Sequence, residues 1–243
     1  MNRIVCPVLS IDYYNEDTRT VLLEIPEGEP VPFKAGQYLE IVLPSGKKCP
    51  FSIASPPDLR GAVELHVRPT PNSKDSLEIE ALLDEGTPVE IEIPKGDCFV
   101  ERAPDTTLIL MAASTGITQM KSIVEHILPA RKLEHPVHLY WGVLKDSDLY
   151  LDSLCQGWAR EEDNFHYIPV VSEPNRSPNW QGRTGLVGDA VLQDFDDLSR
   201  VKVIVSGGPA MVSATLDAFV YRGMPDENMA SDIFSYAPRQ KPD

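Results

Sequence analysis

The apolar residues of this chain change their spacing near Pro104, and that change constrains the fold more than any other feature. Upstream they alternate. "RTVLLEI" places Val21, Leu23 and Ile25 on one face, "QYLEIVL" does so with Leu39, Ile41 and Leu43, "AVELHV" with Val63, Leu65 and Val67, and "PVEIEI" with Val89, Ile91 and Ile93. A period of two puts one side of a strand in a core and the other in water. Short strands of this kind, parted by Pro and Gly turns, predict a closed or nearly closed antiparallel β-barrel with one helix near "SLEIEALLDEG".

Downstream, "TLILMAA" is apolar throughout, as suits a parallel strand buried on both faces. It is followed by "STGIT" and then by Met120, Ile123, Val124, Ile127 and Leu128 at helical spacing. The strand, turn, helix unit recurs. "VHLYWGV" precedes a stripe of Leu151, Leu154, Cys155 and Trp158, and "FHYIPVV" precedes a helix near "GLVGDAVLQDF". "VKVIVSGG" precedes a helix opened by Pro209, carrying Val212, Leu216, Phe219 and Val220, and stopped by Gly223. "DIFSYA" reads as a last short strand. Alternating strands and helices predict a doubly wound parallel sheet, whose ligands sit beyond the carboxyl ends of the strands. The expected organisation is a β-barrel domain over residues 1–102 and an α/β nucleotide-binding domain over 103–243, with a cleft for ligands.

Composition narrows the partners. Lys plus Arg total 22 against 37 Asp plus Glu, a formal charge of −15, which opposes nucleic acid and anionic membrane surfaces alike. A negatively charged cofactor must then be held by local backbone donors or a few placed cations. No apolar run approaches the length needed to cross a bilayer, so a cytoplasmic protein is expected. Cys6, Cys49, Cys98 and Cys155 are too widely spaced for a zinc or iron-sulfur motif and read as reduced thiols; no metal is expected.

Two turns lie at carboxyl ends of expected parallel strands. In "AASTGITQM", Gly116 permits a tight turn, and the free amides of the next helix, with Thr115 and Thr118, are suited to a phosphate. In "VSGGPAM", Gly207 and Gly208 let a ligand approach the backbone just before Pro209 and Met211. Either turn alone is an ordinary connection. Both on one sheet point to a nucleotide.

Barrel first and nucleotide fold second, with "FKAGQYLEI", "CPFSIAS", "STGIT", "WQGRTGLVGDAV" and "SGGPAM" in that order, the chain resembles the ferredoxin-NADP reductase superfamily, and within it the bacterial NAD(P)H-flavin reductases. The resemblance implies hydride transfer from C4 of NADH or NADPH to N5 of a flavin, whether FMN, FAD or riboflavin. It implies flavin contacts along Tyr38, Cys49, Pro50, Phe51, Ser52 and Ile53, with the Ser52 hydroxyl near N5 as the catalytic group. It implies nucleotide contacts at Thr115, Gly116, Thr118, Gly207, Gly208, Pro209 and Met211, while Phe234 and Tyr236 are candidates to cover the ring. His66 is a candidate acid or base, or a structural histidine. Because the flavin carries the redox chemistry, the protein need only bring the two rings to about 3 to 3.5 Å and exclude water.

Three departures from the family pattern bear on flavin retention. Cys49 stands where relatives carry arginine, so a planar cation able to grip phosphate is absent there. Lys47 and Lys48 are candidate substitutes or solvated charges on a turn, and Cys49→Arg is expected to favour FMN over riboflavin, the alternative being that Cys49 is a packed thiol whose replacement only perturbs the strand. Ala113 and Ser114 replace glycines of the family's Gly-Gly-Thr-Gly turn. The loop before Ser76 lacks the family's flavin-phosphate pattern. These changes favour an exchangeable flavin, whose reduced form can reduce ferric complexes or supply an oxygenase. The alternatives are retained FAD or FMN passing electrons to an electron-transfer protein, and a lapsed reductase acting as a binding module. Coenzyme choice is expected to depend on the loop after "HLYWGV", where Lys145 and Asp146 are either readers or solvated charges.

Overall fold

The computed structural model describes residues 2–28, 31–129 and 133–236. The chain divides into two compact units, one of residues 1–101 with 121–126 and the other of residues 102–120 with 127–243.

The first unit contains β1 (Asn2–Cys6), β2 (Val8–Tyr13), β3 (Arg19–Glu24), β4 (Tyr38–Val42), β5 (Lys48–Ser52), β6 (Ala62–Val67), α1 (Lys74–Asp84) and β7 (Val89–Lys95). Its strands are antiparallel and form two sheets, in the orders β1-β7-β4-β5 and β2-β3-β6. The alternating aliphatic residues read from the sequence are the core-facing ones, although Val42, Ala62, His66 and Glu92 between or beside them are buried as well. Val21, Leu23, Leu39, Ile41, Leu43, Val63, Leu65, Val67, Val89, Ile91 and Ile93 are all buried in one cluster, closed by Ile79 and Leu83 of α1. Each such side chain contributes about 1.5 to 3 kcal/mol by leaving water, so the inward columns fix the register of every strand. The α1 helix starts where Ser73 accepts a hydrogen bond from the Ser76 amide. The strands β1 and β2, broken at Pro7, are additions to the sequence reading.

The second unit contains β8 (Thr107–Ala113), α2 (Ile117–Ile127), β9 (Val137–Val143), α3 (Asp152–Glu161), β10 (Phe165–Val171), β11 (Arg183–Thr184), α4 (Val187–Asp194), β12 (Val201–Ser206), α5 (Pro209–Tyr221), β13 (Met229–Ala230) and α6 (Ile233–Tyr236). The middle of α2, residues 121–126, groups with the first unit. All pairings are parallel, in the order β11-β10-β9-β8-β12-β13. The chain builds outward from β8 through β9 and β10, then crosses to the other side of β8 to make β12. The order therefore reverses between β8 and β12, and the crevice beyond their carboxyl ends is where such sheets bind ligands. Pro209 is the first residue of α5, and Gly223, at φ +86°, follows its end as expected.

Two expectations fail. "DIFSYA" is not a strand over its described residues: Ile233–Tyr236 is a one-turn helix, and Ala237 lies outside the described residues. The amides of Phe234 and Ser235 bond back to the carbonyls of Ser231 and Asp232, so the polar pair starts a helical turn where strand pairing was expected. Val220, placed on the buried stripe of α5, is 41% exposed, whereas Val212, Leu216 and Phe219 are buried. Among the described residues no helix is long and apolar enough to cross a membrane.

Candidate functional site

At the reversal point, β8 runs into a turn at Ser114–Gly116 and then into α2. Ser114 takes φ +51°, the left-handed region that glycine enters more readily, at a position where the family pattern has glycine. Its carbonyl accepts a hydrogen bond from Trp141 Nε1 at 2.9 Å, which holds the turn from the neighbouring strand. Gly116 owes its identity to close approach. A Cβ there would overlap the Ser206 carbonyl oxygen and lie 2.8 Å from its carbonyl carbon and 3.1 Å from its Cβ. Only glycine lets the start of α2 lie against the end of β12.

The second turn lies beside the first. Gly207 faces Ala113 and Met211, since a Cβ on it would lie 3.2 Å from Ala113 Cβ and overlap the end of the Met211 side chain. Gly208 caps α5 with extended backbone and no side-chain cap, and nothing lies within 4 Å of a Cβ built on it. The start of α2, which continues the Ser114–Gly116 turn, and the start of α5, each the positive end of a helix dipole, thus stand side by side beyond β8 and β12. Thr115 is half-buried beside them, and Pro209 is exposed in the first turn of α5. Thr118 is buried at the start of α2. Phe234 is partly buried against the core of this unit, and the side chain of Tyr236 lies outside what is described.

Next to the turns is a cavity of about 340 Å³. Its walls are Ala113, Ser114 and Val143 at the strand ends, Leu186, Val187 and Asp189 at the start of α4, and Met211, Thr215 and Phe219 of α5. Gly142 makes it possible, because a Cβ there would lie 2.8 Å from Val187 Cβ and push α4 off the sheet. Neither Gly142 nor Trp141 was singled out from sequence, although both stand in the quoted "VHLYWGV". The Lys145 amide donates to Asp148 Oδ2 at 3.3 Å and its Nζ, on a partly exposed side chain, lies 4.0 Å from Oδ1 of that buried carboxylate. The Asp146 amide donates to Ser177 Oγ at 2.9 Å.

In the first unit the expected flavin residues separate onto two sides of one hairpin. Opposed pairs are Tyr38 with Ser52, Leu39 with Phe51, Glu40 with Pro50, and Ile41 with Cys49. Directly opposed residues share a face, so Tyr38, Pro50 and Ser52 look outward while Cys49 and Phe51 look toward the core. Burial agrees. Pro50 is exposed and Tyr38 and Ser52 half-buried, whereas Cys49 is buried, Phe51 packs against the same cluster, and Ile53 is fully buried. Burial, with Asp75 adding to it, pushes the Cys49 thiol up. Both lysines are engaged: Lys47 pairs with Asp75 at 2.5 Å and Lys48 with Glu92 at 2.7 Å. Gln37, unremarked within "GQY", braces the entry to β4 by donating to the Gly96 carbonyl at 2.7 Å and accepting from the Lys34 amide at 2.8 Å.

His66 belongs to a different cluster. Its side chain is fully buried, 2.9 Å from Glu64 Oε1 and edge-on to Tyr14. Burial lowers its pKa against the raising effect of Glu64. Lys121 bridges Glu64 and Glu125 at 2.9 Å each. Burial would raise the Glu64 carboxyl, but His66 and Lys121 bring it down to about 2.

Residues 5–99 match the oxidoreductase FAD-binding domain family and residues 110–217 the oxidoreductase NAD-binding domain family. An NAD(P)H-flavin reductase from Vibrio harveyi is 35% identical over 239 residues, covering 96% of this chain and 99% of that protein. A CDP-6-deoxy-L-threo-D-glycero-4-hexulose-3-dehydrase reductase from Yersinia pestis is 34% identical over 229 residues, 94% of this chain and 68% of its own length. Among solved structures, a cytochrome P450 reductase from Amycolatopsis superposes with a TM-score of 0.82 at 31% identity, covering 95% of this chain and 69% of that one.

Proposed function

Since the chain belongs to the ferredoxin reductase family and is an NAD(P)H oxidoreductase with FAD-binding and NAD-binding domains, we propose that it is an NAD(P)H-flavin reductase acting on an exchangeable flavin. The observation that carries the nucleotide half is the contact of Gly116 with Ser206. It packs two helix N-termini together at the point where strand order reverses, which suits a pyrophosphate bound by backbone amides in a protein of net charge −15. Gly208, with open space before it, admits the ligand to the α5 terminus. Thr115 supplies a hydroxyl at the same mouth, and Met211 forms part of the adjoining wall.

The residues of the first unit fit a flavin at the outer face of β4 and β5. Tyr38, Pro50 and Ser52 form a contiguous strip there, and β5 ends its sheet, so its backbone polar groups can meet the polar edge of an isoalloxazine. When bound, the flavin supplies the ring that accepts a hydride from nicotinamide C4 at N5. Ser52 offers its hydroxyl to N5 and orients the ring, Tyr38 holds the opposite side of the strip, and the Pro50 carbonyl and the Ser52 backbone, on either side of Phe51 at the open edge of β5, provide donors and acceptors. Cys49, Phe51 and Ile53 act from beneath by packing the strand rigidly. Phe234, which packs against the core of the second unit, is proposed as cover for the nicotinamide ring.

Exchangeability is supported by charge. A flavin phosphate near position 49 would find a neutral buried thiol, with Asp75 and Glu78 close by and Lys47 already paired. Phosphate therefore adds little, and riboflavin should serve as well as FMN. The visible spectrum of freshly purified protein, with NADH oxidation followed with and without added riboflavin, tests the reading. Oxidation that depends on added riboflavin, from colourless protein, is expected. Stoichiometric tightly held flavin would replace it with the second reading, a reductase component serving a protein acceptor, which the likeness to the dehydrase reductase and the cytochrome P450 reductase supports. The acceptors in that case are an oxygenase or an electron-transfer protein. Released reduced flavin would instead serve ferric complexes or an oxygenase in solution.

A further inference from the structure

The cavity beside the phosphate-binding turns also says which nicotinamide nucleotide suits it, an inference that rests on the nucleotide site proposed above. The nicotinamide ring has to stay accessible to the flavin, so a pocket enclosed by the second unit's own residues is suited to the non-reacting adenosine end. Its walls are right for that: Val143, Leu186, Val187 and Phe219 offer apolar surface to a purine, and Ser114 connects the pocket to the phosphate turn.

One wall residue is a carboxylate. Asp189 lies in the first turn of α4, is exposed, and accepts no hydrogen bond among the described residues. The other polar groups nearby are committed. Ser172 Oγ donates to the Val143 carbonyl at 3.1 Å, and Thr215 Oγ1 lies against the Met211 sulfur at 3.6 Å. No lysine or arginine is among the residues lining the cavity, and Lys145, Arg176 and Arg183 outside it each face a carboxylate. Lys145 lies against Asp148, Arg176 pairs with Glu173 at 2.8 Å, and Arg183 is tied to Asp194 and to the Ala190 carbonyl. A ribose diol would find an acceptor with open valence, whereas a 2′-phosphate would find a negative charge and no cation among the lining residues.

We infer that Asp189 is a specificity-determining residue that accepts hydrogen bonds from the adenosine ribose hydroxyls and makes the protein selective for NADH over NADPH. The carboxylate is rewarded by a diol and penalised by a phosphate, so selectivity arises from attraction and repulsion at one side chain. It also weakens with salt, because the repulsive part is screened.

Calorimetric titration of the full chain with ADP and with its 2′-phosphorylated analogue, alongside kcat/KM for NADH and NADPH, tests this. ADP is expected to bind at least about tenfold more tightly than the 2′-phosphorylated ligand at low salt, with a matching kcat/KM ratio. Asp189→Asn keeps an acceptor and removes the charge, so the ratio should narrow severalfold, mainly through a gain for the phosphorylated ligand. Asp189→Ala should weaken ADP as well. Binding of both ligands with equal affinity overturns the selectivity while leaving the nucleotide site intact. A ratio unmoved by Asp189→Asn, with thermal stability alone altered, reduces Asp189 to a charge favoured by the α4 dipole and overturns its role. Failure of ADP and its analogue to bind at all overturns the nucleotide site together with the inference.

Discussion

Gly116→Ala is the most direct perturbation of the nucleotide site. One added methyl would overlap the Ser206 carbonyl oxygen and stand 2.8 Å from its carbonyl carbon, where ordinary contact begins near 3.4 Å. Both sides are backbone, so neither can rotate away. The α2 start or the β12 end must retreat by roughly half an ångström or more, and overpacking of this kind costs about 1 to 3 kcal/mol. For a chain of this size each kcal/mol moves a melting temperature by about 2 to 4 °C, so a loss of roughly 2 to 12 °C is expected in the transition that includes the second unit.

The functional cost should exceed the stability cost. Splaying the two helix N-termini misplaces the amides on both sides of the pyrophosphate, and a displacement approaching 1 Å can cost about 100-fold. NADH titration by fluorescence, paired with calorimetric melting, measures both quantities. Gly208→Ala is the control, since nothing lies within 4 Å of its added methyl and its backbone is already extended. That variant should melt like the parent. If Gly116→Ala retained both the melting temperature and the NADH affinity of the parent, the close approach of α2 to β12 would not be what builds the site.

Ser52→Ala should slow flavin reduction by about tenfold or more with little change in NADH affinity, because the hydroxyl is assigned to the reacting ring; stopped-flow traces with an unchanged rate would remove Ser52 from the chemistry. Cys49→Arg should destabilise the first unit by roughly 2 to 4 kcal/mol, since it forces a cation into a packed position, and should give no preference for FMN over riboflavin; urea melts and flavin titrations of the same sample read both. Glu64 supplies a pH dependence. Its folded-state pKa of about 2 is below the ordinary 4.5, so its contribution is complete above the unfolded value and is lost as pH falls from about 4.5 towards 2. Urea midpoints at pH 7 and pH 3 should differ less in Glu64→Gln than in the parent, by about 2 kcal/mol of the total change; an identical slope would remove the cluster from the acid response.

What sequence revealed depended on whether burial was one-sided or complete. The barrel strands were legible because Leu39, Ile41, Val63, Leu65, Ile91 and Ile93 put an aliphatic side chain on the core face at every second position, even though Val42, Ala62, His66 and Glu92 beside them are buried too. The parallel strands were legible because β8 and β12 are buried on both faces and cannot alternate. Where neither condition holds, the pattern fades. β2 has no buried residue in six, and nothing in "VLSIDY" separates an edge strand from a loop. The short apolar pair Ile233 and Phe234 fits one turn of helix as well as a strand, and the start signals in Ser231 and Asp232 outweigh it. Glycine identity was legible, but its reason was not: Gly116 and Gly142 answer to carbonyl and side-chain atoms far along the chain, visible only once β12 and α4 are in place.

The same limit explains the divided fate of "KKCPFS". A motif is read along a line, and along that line Cys49, Pro50, Phe51 and Ser52 are one stretch. A strand assigns them to sides, and the side is set by the hairpin. The turn between β4 and β5 closes with the Leu43 amide on the Lys47 carbonyl and Gly46 at φ +83°, which opposes Ile41 to Cys49. Leu39 and Ile41 were already committed to the core by their alternation, so Cys49 and Phe51 had to join them, and Ser52 had to face out with Tyr38. Had the turn been one residue longer, the thiol would face a ligand and the hydroxyl the core. The substitutions at 49 and 52 therefore probe opposite faces of one strand. The first should register in unfolding and the second in hydride transfer, and an exchange of those two outcomes would mean that the register of this hairpin is wrong.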